Sequence, residues 1–170
     1  MIASEFSRCF DVRQSDRLSP VLEADAAERV ALARRFAITA VNRLVARLEL
    51  TREGRAMLAA GTLEADIVQP CAVSGEDLAV AIREPLSFRF VPAASRQPGD
   101  AEVELEAEEL DEIEYEGTQF DLGEAVAQSL ALAIDPYLTG PNADAARAKA
   151  GLLGEADAGP FAALKALKKD

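Results

Sequence analysis

Three consecutive stretches of period-two alternation, joined by connections too short to hold a helix, constrain this chain more than any other feature. In the first, Leu44, Ala46, Leu48 and Leu50 alternate with Val45, Arg47, Glu49 and Thr51. In the second, Leu63, Ala65 and Ile67 alternate with Thr62, Glu64 and Asp66. In the third, Leu78, Val80 and Ile82 share a parity with Leu86, Phe88 and Phe90 across an interruption at Glu84-Pro85. Successive side chains of a strand point to opposite faces, so the pattern predicts strands with one buried and one wet face. Parallel neighbours need a crossover of roughly a dozen residues or more, which the links around Gly54, Gly61 and Ser74-Gly75 do not supply. An antiparallel meander follows. Proline has no ladder donor, so Pro85 predicts a bulge or an edge position.

The flanking segments add helices. Asp25 precedes AAERVALARRFAI, and Glu28 stands three residues later, the spacing of a capping box. This predicts a helix over 26–38, with Val30, Ala33 and Ala37 on one face and Arg29, Arg34 and Arg35 on others. Asp121 with Glu124 repeats the capping pattern and opens DLGEAVAQSLALAI. There Leu122, Val126, Leu130, Ala133 and Ile134 form a stripe at helical spacing, and Asp135-Pro136 ends it. Residues 4–13 predict a first strand with Phe6 and Phe10 on one side. Ile113 and Tyr115 predict a short fifth one, and 142–151 and 160–168 two short alanine-rich helices. The expected fold is α+β: an antiparallel meander of about five strands, flat or curled toward a barrel, packed by two main helices. Residues 1–138 are expected to form the core domain, with a mobile acidic loop at 93–110, and 139–170 a C-terminal helical extension.

A chain of 170 residues, 49% of them hydrophobic, is long enough for one real core. With no Trp and two Tyr, that core is expected to be aliphatic. The net charge of −12 is localised: residues 100–124 hold twelve acidic and no basic side chains, and the remainder balances. Every cation among the first 60 residues is an arginine. The acidic segment is therefore a poor surface for nucleic acid, while an arginine-bearing face elsewhere stays compatible with it. There is no histidine, which removes the commonest general acid/base and metal ligand. No apolar run reaches bilayer length, and MIASEFSRCFDVRQ lacks the apolar centre of a signal peptide. Cys9 and Cys71 are expected to be reduced thiols of a cytoplasmic protein.

Among candidate sites, Cys71 follows Pro70 at a strand end. As a nucleophile it would need a base, and the usual partner is missing, so a small buried residue is expected. Two separated thiols do not make a zinc site, and the acidic run lacks the glycine-punctuated spacing of a calcium loop. No metal, cofactor or catalytic residue is expected. The arginines Arg29, Arg34, Arg35, Arg43, Arg47, Arg52 and Arg55 span one helix and the next strand and turn. They are the candidate RNA-binding residues, able to hold phosphates bidentately. The alternative is solvated charge paired with nearby glutamates. Glu104, Glu106, Glu108, Glu109, Asp111 and Glu112 are the candidate surface for a basic partner.

Several stretches resemble the YceD-like family, the proteins called large ribosomal RNA subunit accumulation proteins. They are LEADAAERVALARRFAI, GTLEADIVQPCAVSGEDLAVAIREPLSFRFVP, IEYEGTQFDLGEAVAQSLALAIDPYLTGP and the closing PFAALKALKK. Together they cover most of the chain in the family's order. The strand ending Gln69-Pro70-Cys71 and the helix start at Asp121-Leu122 are the most specific parts. The resemblance implies support of large-subunit ribosomal RNA processing or accumulation, and it carries over no catalytic residue. Many relatives have a second cysteine soon after the one matching Cys71, and some a cysteine-rich C-terminal segment that looks metal-binding. Here residues 72–76 read Ala-Val-Ser-Gly-Glu and the C-terminal region has no cysteine, so any such metal role is not implied for this chain. This version is similar to alphaproteobacterial members.

Three functional readings result. The first is a non-enzymatic assembly factor that binds large-subunit ribosomal RNA, a pre-ribosomal particle or a basic ribosomal protein. The second is an acidic protein-binding adaptor that never touches RNA. The third, a metal-dependent RNA-processing hydrolase, needs carboxylates converging in a cleft.

Overall fold

The computed structural model describes residues 4–93 and 111–151. Seven strands and three helices follow one another among these residues: β1 Cys9–Asp11, β2 Val21–Glu23, α1 Ala26–Arg35, β3 Ala40–Glu53, β4 Ala56–Pro70, β5 Asp77–Pro92, β6 Asp111–Tyr115, β7 Gln119–Asp121, α2 Leu122–Ala133 and α3 Ala143–Lys149. The acidic loop at 93–110 lies outside the described residues save for its first position. So does the alanine-rich segment 160–168.

The alternating runs form long strands. β3 and β4 make an antiparallel hairpin from Ala40↔Val68 to Glu53↔Ala56. At its tip Gly54 has φ +61°, a left-handed conformation that a tight hairpin turn requires and that glycine takes without a Cβ clash. β2 pairs antiparallel with β3, and β5 lies on the other side of β4. The fifth strand departs from expectation. β6 runs parallel to β5, from Phe88↔Asp111 to Pro92↔Tyr115. The intervening segment 93–110 exceeds the roughly dozen residues that a parallel return needs, whereas the earlier links do not. The sheet is therefore mixed rather than a pure antiparallel meander. It is also open rather than a barrel: among the described residues its order is β2-β3-β4-β5-β6, with β2 and β6 at the edges. Pro85 sits ahead of Phe88, where the described β5–β6 pairing starts, so its missing donor interrupts no bond of that ladder.

The predicted first strand shrinks to β1, which pairs with β7 in a separate two-stranded sheet, Cys9↔Asp121 to Asp11↔Gln119. Phe6, ahead of that strand, is fully buried. The core is not purely aliphatic. Phe88, Phe90 and Phe120 are buried in it, with the Phe90 and Phe120 ring centroids 4.5 Å apart. Four phenylalanines with Tyr115 thus do what the low aromatic fraction concealed. Packing of α2 on the N-terminal segment is close: Leu122 N donates to Arg8 O at 3.0 Å. A Cβ on Gly123 would lie 2.3 Å from Phe6 O, so only glycine fits there.

Both capping motifs occur, one of them in half. In α1, Asp25 Oδ1 accepts from Glu28 N at 2.9 Å and Glu28 Oε2 accepts from Asp25 N at 2.8 Å. In α2, Asp121 Oδ1 accepts from Glu124 N at 3.0 Å, but the Glu124 carboxylate turns away to other partners. The chain divides into two compact units, one of residues 1–68 with 79–134 and one of 69–78 with 135–170. The first holds the large sheet, α1 and α2. The second holds the turn after β4, the segment after α2, and α3.

Candidate nucleic-acid interface

The seven arginines stand in four local settings: a partly solvated clamp, a helix groove, a sheet face and a hairpin tip.

Arg35 belongs to the clamp. Its Nη2 meets Glu124 Oε1 at 2.6 Å and its Nη1 meets Glu5 Oε2 at 2.9 Å. The guanidinium is the main reason that Glu124 is held down to about 2; hydrogen bonds from Ser4 and Gln128 add to it. Arg35 is itself raised above its ordinary value, first by Glu124. This cation fastens α1 to α2 and the N-terminal segment, so it is committed to the fold. Arg8, which sequence reasoning passed over, does the same work for Glu28, in a bidentate pair at 2.6 and 2.8 Å.

Arg29 and Arg34 line a groove of about 450 Å³ between α1 and the start of β3. Arg29 Nη1 donates to Ala24 O at 2.8 Å, which steadies its side chain, while Arg34 is exposed. Val30, grouped with Ala33 and Ala37 on one helical face, is 54% exposed and lines this groove, and Ala37 is exposed as well. The core face of α1 is formed by Leu32 and Ala33.

Arg43 and Arg47 project from the outer face of β3 toward one carboxylate. Glu64 on β4 accepts from Arg43 Nη1 at 3.0 Å and from Arg47 Nη1 at 3.3 Å. Arg43 foremost, with Arg47 and Arg83, holds Glu64 below the usual carboxylate range. These two are thus paired with a nearby glutamate, as the alternative reading anticipated, and Arg83 is a third cation of this face that the sequence did not single out. Arg52 and Arg55 flank the hairpin tip, where Arg52 Nε donates to Gly54 O at 3.0 Å and Arg55 is exposed.

Of the acidic candidates, Glu104, Glu106, Glu108 and Glu109 lie outside the described residues. Asp111 opens β6, and Glu112 stands 3.6 Å from Arg89 Nε. Among the described residues no cluster of three or more Cys, Asp and Glu side chains could hold a metal ion. Nor is any helix there long and apolar enough to cross a membrane.

The second unit contains a feature that the sequence concealed. Cys71 is buried, as expected, but its sulfur is an acceptor. Ser74 N and Gly140 N each approach Sγ at 3.3 Å and Val73 N at 3.5 Å. The Ser74 hydroxyl and then these amides lower the thiol to about 6, against burial, which raises it. Gly75, with φ +72°, lets the turn fold back so that its N–H reaches Cys71 O at 3.0 Å. Ser74-Gly75 was the available signal, since that pair marks a turn whose amides converge.

Comparison with known proteins gives one result. The family model described as "Large ribosomal RNA subunit accumulation protein YceD" matches residues 59–168. No curated protein and no solved structure matches the chain.

Proposed function

This chain belongs to the YceD family, the match covering most of its length, and from that premise we propose that it is a non-catalytic cytoplasmic factor whose arginine-bearing surface binds large-subunit ribosomal RNA. The family description names accumulation of that RNA as its role. A binding protein serves this role by holding an RNA segment or a precursor particle in one state. The observation that carries the RNA reading is the helix groove, which presents Arg29 and Arg34 and has no carboxylate among its described lining residues. Arginine without an internal counter-charge is what a phosphate needs. The family match begins at residue 59, within β4, so these arginines lie ahead of the matched segment and the assignment to them rests on their geometry.

Co-sedimentation tests this reading. The variant Arg34→Glu/Arg47→Glu/Arg55→Glu reverses one charge in each exposed cluster and spares Arg35, whose loss would loosen the fold. The unsubstituted protein is expected to travel with large-subunit precursors on a density gradient. The triple variant is expected to remain at the top at physiological salt, with its circular dichroism unchanged. Undiminished co-sedimentation of the folded variant overturns the proposal.

A further inference from the structure

We propose that the groove between α1 and the start of β3 receives one unpaired nucleotide of the RNA, with its base in the apolar trough and its flanking phosphates on Arg29 and Arg34. The assignment rests on the RNA reading above and adds a base-binding role for Val30, Ile38 and Asn42.

The groove has the size and the composition of a small-ligand site. Its volume of about 450 Å³ falls in the ordinary range for such pockets. Val30, Ala33, Ile38 and Val41 give it apolar walls, and among the described residues the charged ones that line it, Arg29 and Arg34, are both cations. A positive rim over an apolar trough is complementary to a ligand that joins anionic groups to a flat apolar body. An unstacked nucleotide has that form. Duplex RNA does not, because its base faces are hidden in the stack while its phosphates remain outside. Arginine guanidinium planes also stack on bases, which makes up for the absence of an aromatic ring.

Two departures from regular backbone shape the groove. The pairing of β3 with β4 shifts register between Val41 and Arg43, which leaves Asn42 as the extra residue. A bulge re-aims a side chain, and here it gives the groove an amide, able both to donate to and to accept from a base edge. At the other end, the helix closes through Ala37 N to Arg34 O at 3.2 Å and Ile38 N to Ala33 O at 3.0 Å. That closure needs a left-handed residue, and Ala37 takes it at φ +54°. It turns Ile38 back beside Ala33, and both line the groove.

The test is fluorescence anisotropy on the full chain, with labelled single-stranded RNA of about ten nucleotides and duplex RNA of the same length as probes. The single strand is expected to bind at least about tenfold more tightly than the duplex. Val30→Glu and the milder, uncharged Val30→Ser, both at an exposed position, are expected to weaken the single strand about tenfold and about threefold, the serine variant with a smaller effect on duplex than on single-strand binding. Asn42→Ala is expected to change the order of affinity among oligouridine, oligoadenosine and oligocytidine without altering the salt dependence. Arg34→Ala is expected to reduce that salt slope by about one. If the folded Val30 and Asn42 variants bind single strands like the parent, the groove is not the base site, while RNA binding as such still stands. If the parent binds no RNA, and a polyglutamate peptide occupies the groove instead, the RNA reading and this site both fall.

Discussion

Ala37 holds a φ of +54° at the position after the α1 cap, where a Cβ crowds the backbone. For an L-residue the left-handed region costs about 1–2 kcal/mol, and glycine escapes this at the expense of a more flexible unfolded chain. The side chain is exposed, so removing its methyl group leaves no cavity. Ala37→Gly is therefore expected to stabilise the protein by about 0.5–1 kcal/mol. The change would be read as a rise in the denaturation midpoint at constant slope. A midpoint that falls would mean that Ala37 contributes contacts that the backbone argument omits. A strained residue beside the groove fits the binding role proposed for it, because strained positions concentrate at functional sites. Sequence reasoning placed Ala37 inside the helix, since nothing in AAERVALARRFAI announces a left-handed turn where glycine is absent.

At the scale of elements, the clamp of Arg35 on Glu124 and Glu5 fixes how α1, α2 and the N-terminal segment meet. Glu124 carries the pH dependence of this junction. Its folded value is depressed from 4.5 to about 2, first by Arg35, so its contribution is fully present above the unfolded value and is lost as pH falls toward the folded one. Glu124→Gln is expected to destabilise the protein by about 1 kcal/mol at neutral pH, a modest effect because both side chains are partly solvated. The gap between variant and parent should close progressively from about pH 5 down to about pH 2, in denaturant melts along that series. A gap that stays constant with pH would show that packing of the Glu124 stem, and not its charge, holds the helices. Elements of this kind were legible in part. The alternating runs and the Asp25 and Asp121 caps located β3, β4, β5, α1 and α2, because local periodicity and capping act within a few residues. The parallel placement of β6, the withdrawal of β1 to a second sheet and the diversion of Glu124 to Arg35 were not legible. Each is set by a partner distant in sequence.

Over the whole molecule, the candidate site was legible as a list of arginines but not as a surface, since local patterns do not tell which cations the fold will pair. Arg35 was taken by the clamp, Arg43 and Arg47 share Glu64, and Arg29 and Arg34 remained on a groove with no acid among its described lining residues. The same separation governs the protein's field. Residues 100–124 hold twelve acidic groups and the rest of the chain is neutral overall, so under the proposed function an RNA at the arginines would feel their attraction and the repulsion of that one segment. Salt weakens both, over a Debye length of about 8 Å at physiological ionic strength. Replacing Glu104, Glu106, Glu108 and Glu109 by glutamine removes charge while leaving β6, which starts at Asp111, intact. If RNA is the ligand, this variant should bind it on the order of three- to tenfold more tightly in low salt, and with a steeper decline as salt rises, because the opposing repulsion is gone. An adaptor that captures a basic ribosomal protein through those carboxylates would behave in the opposite way, losing its partner and gaining nothing toward RNA. Anisotropy titrations with both ligands, from about 50 to 300 mM salt, separate the two, since the same four substitutions push the two affinities in opposite directions.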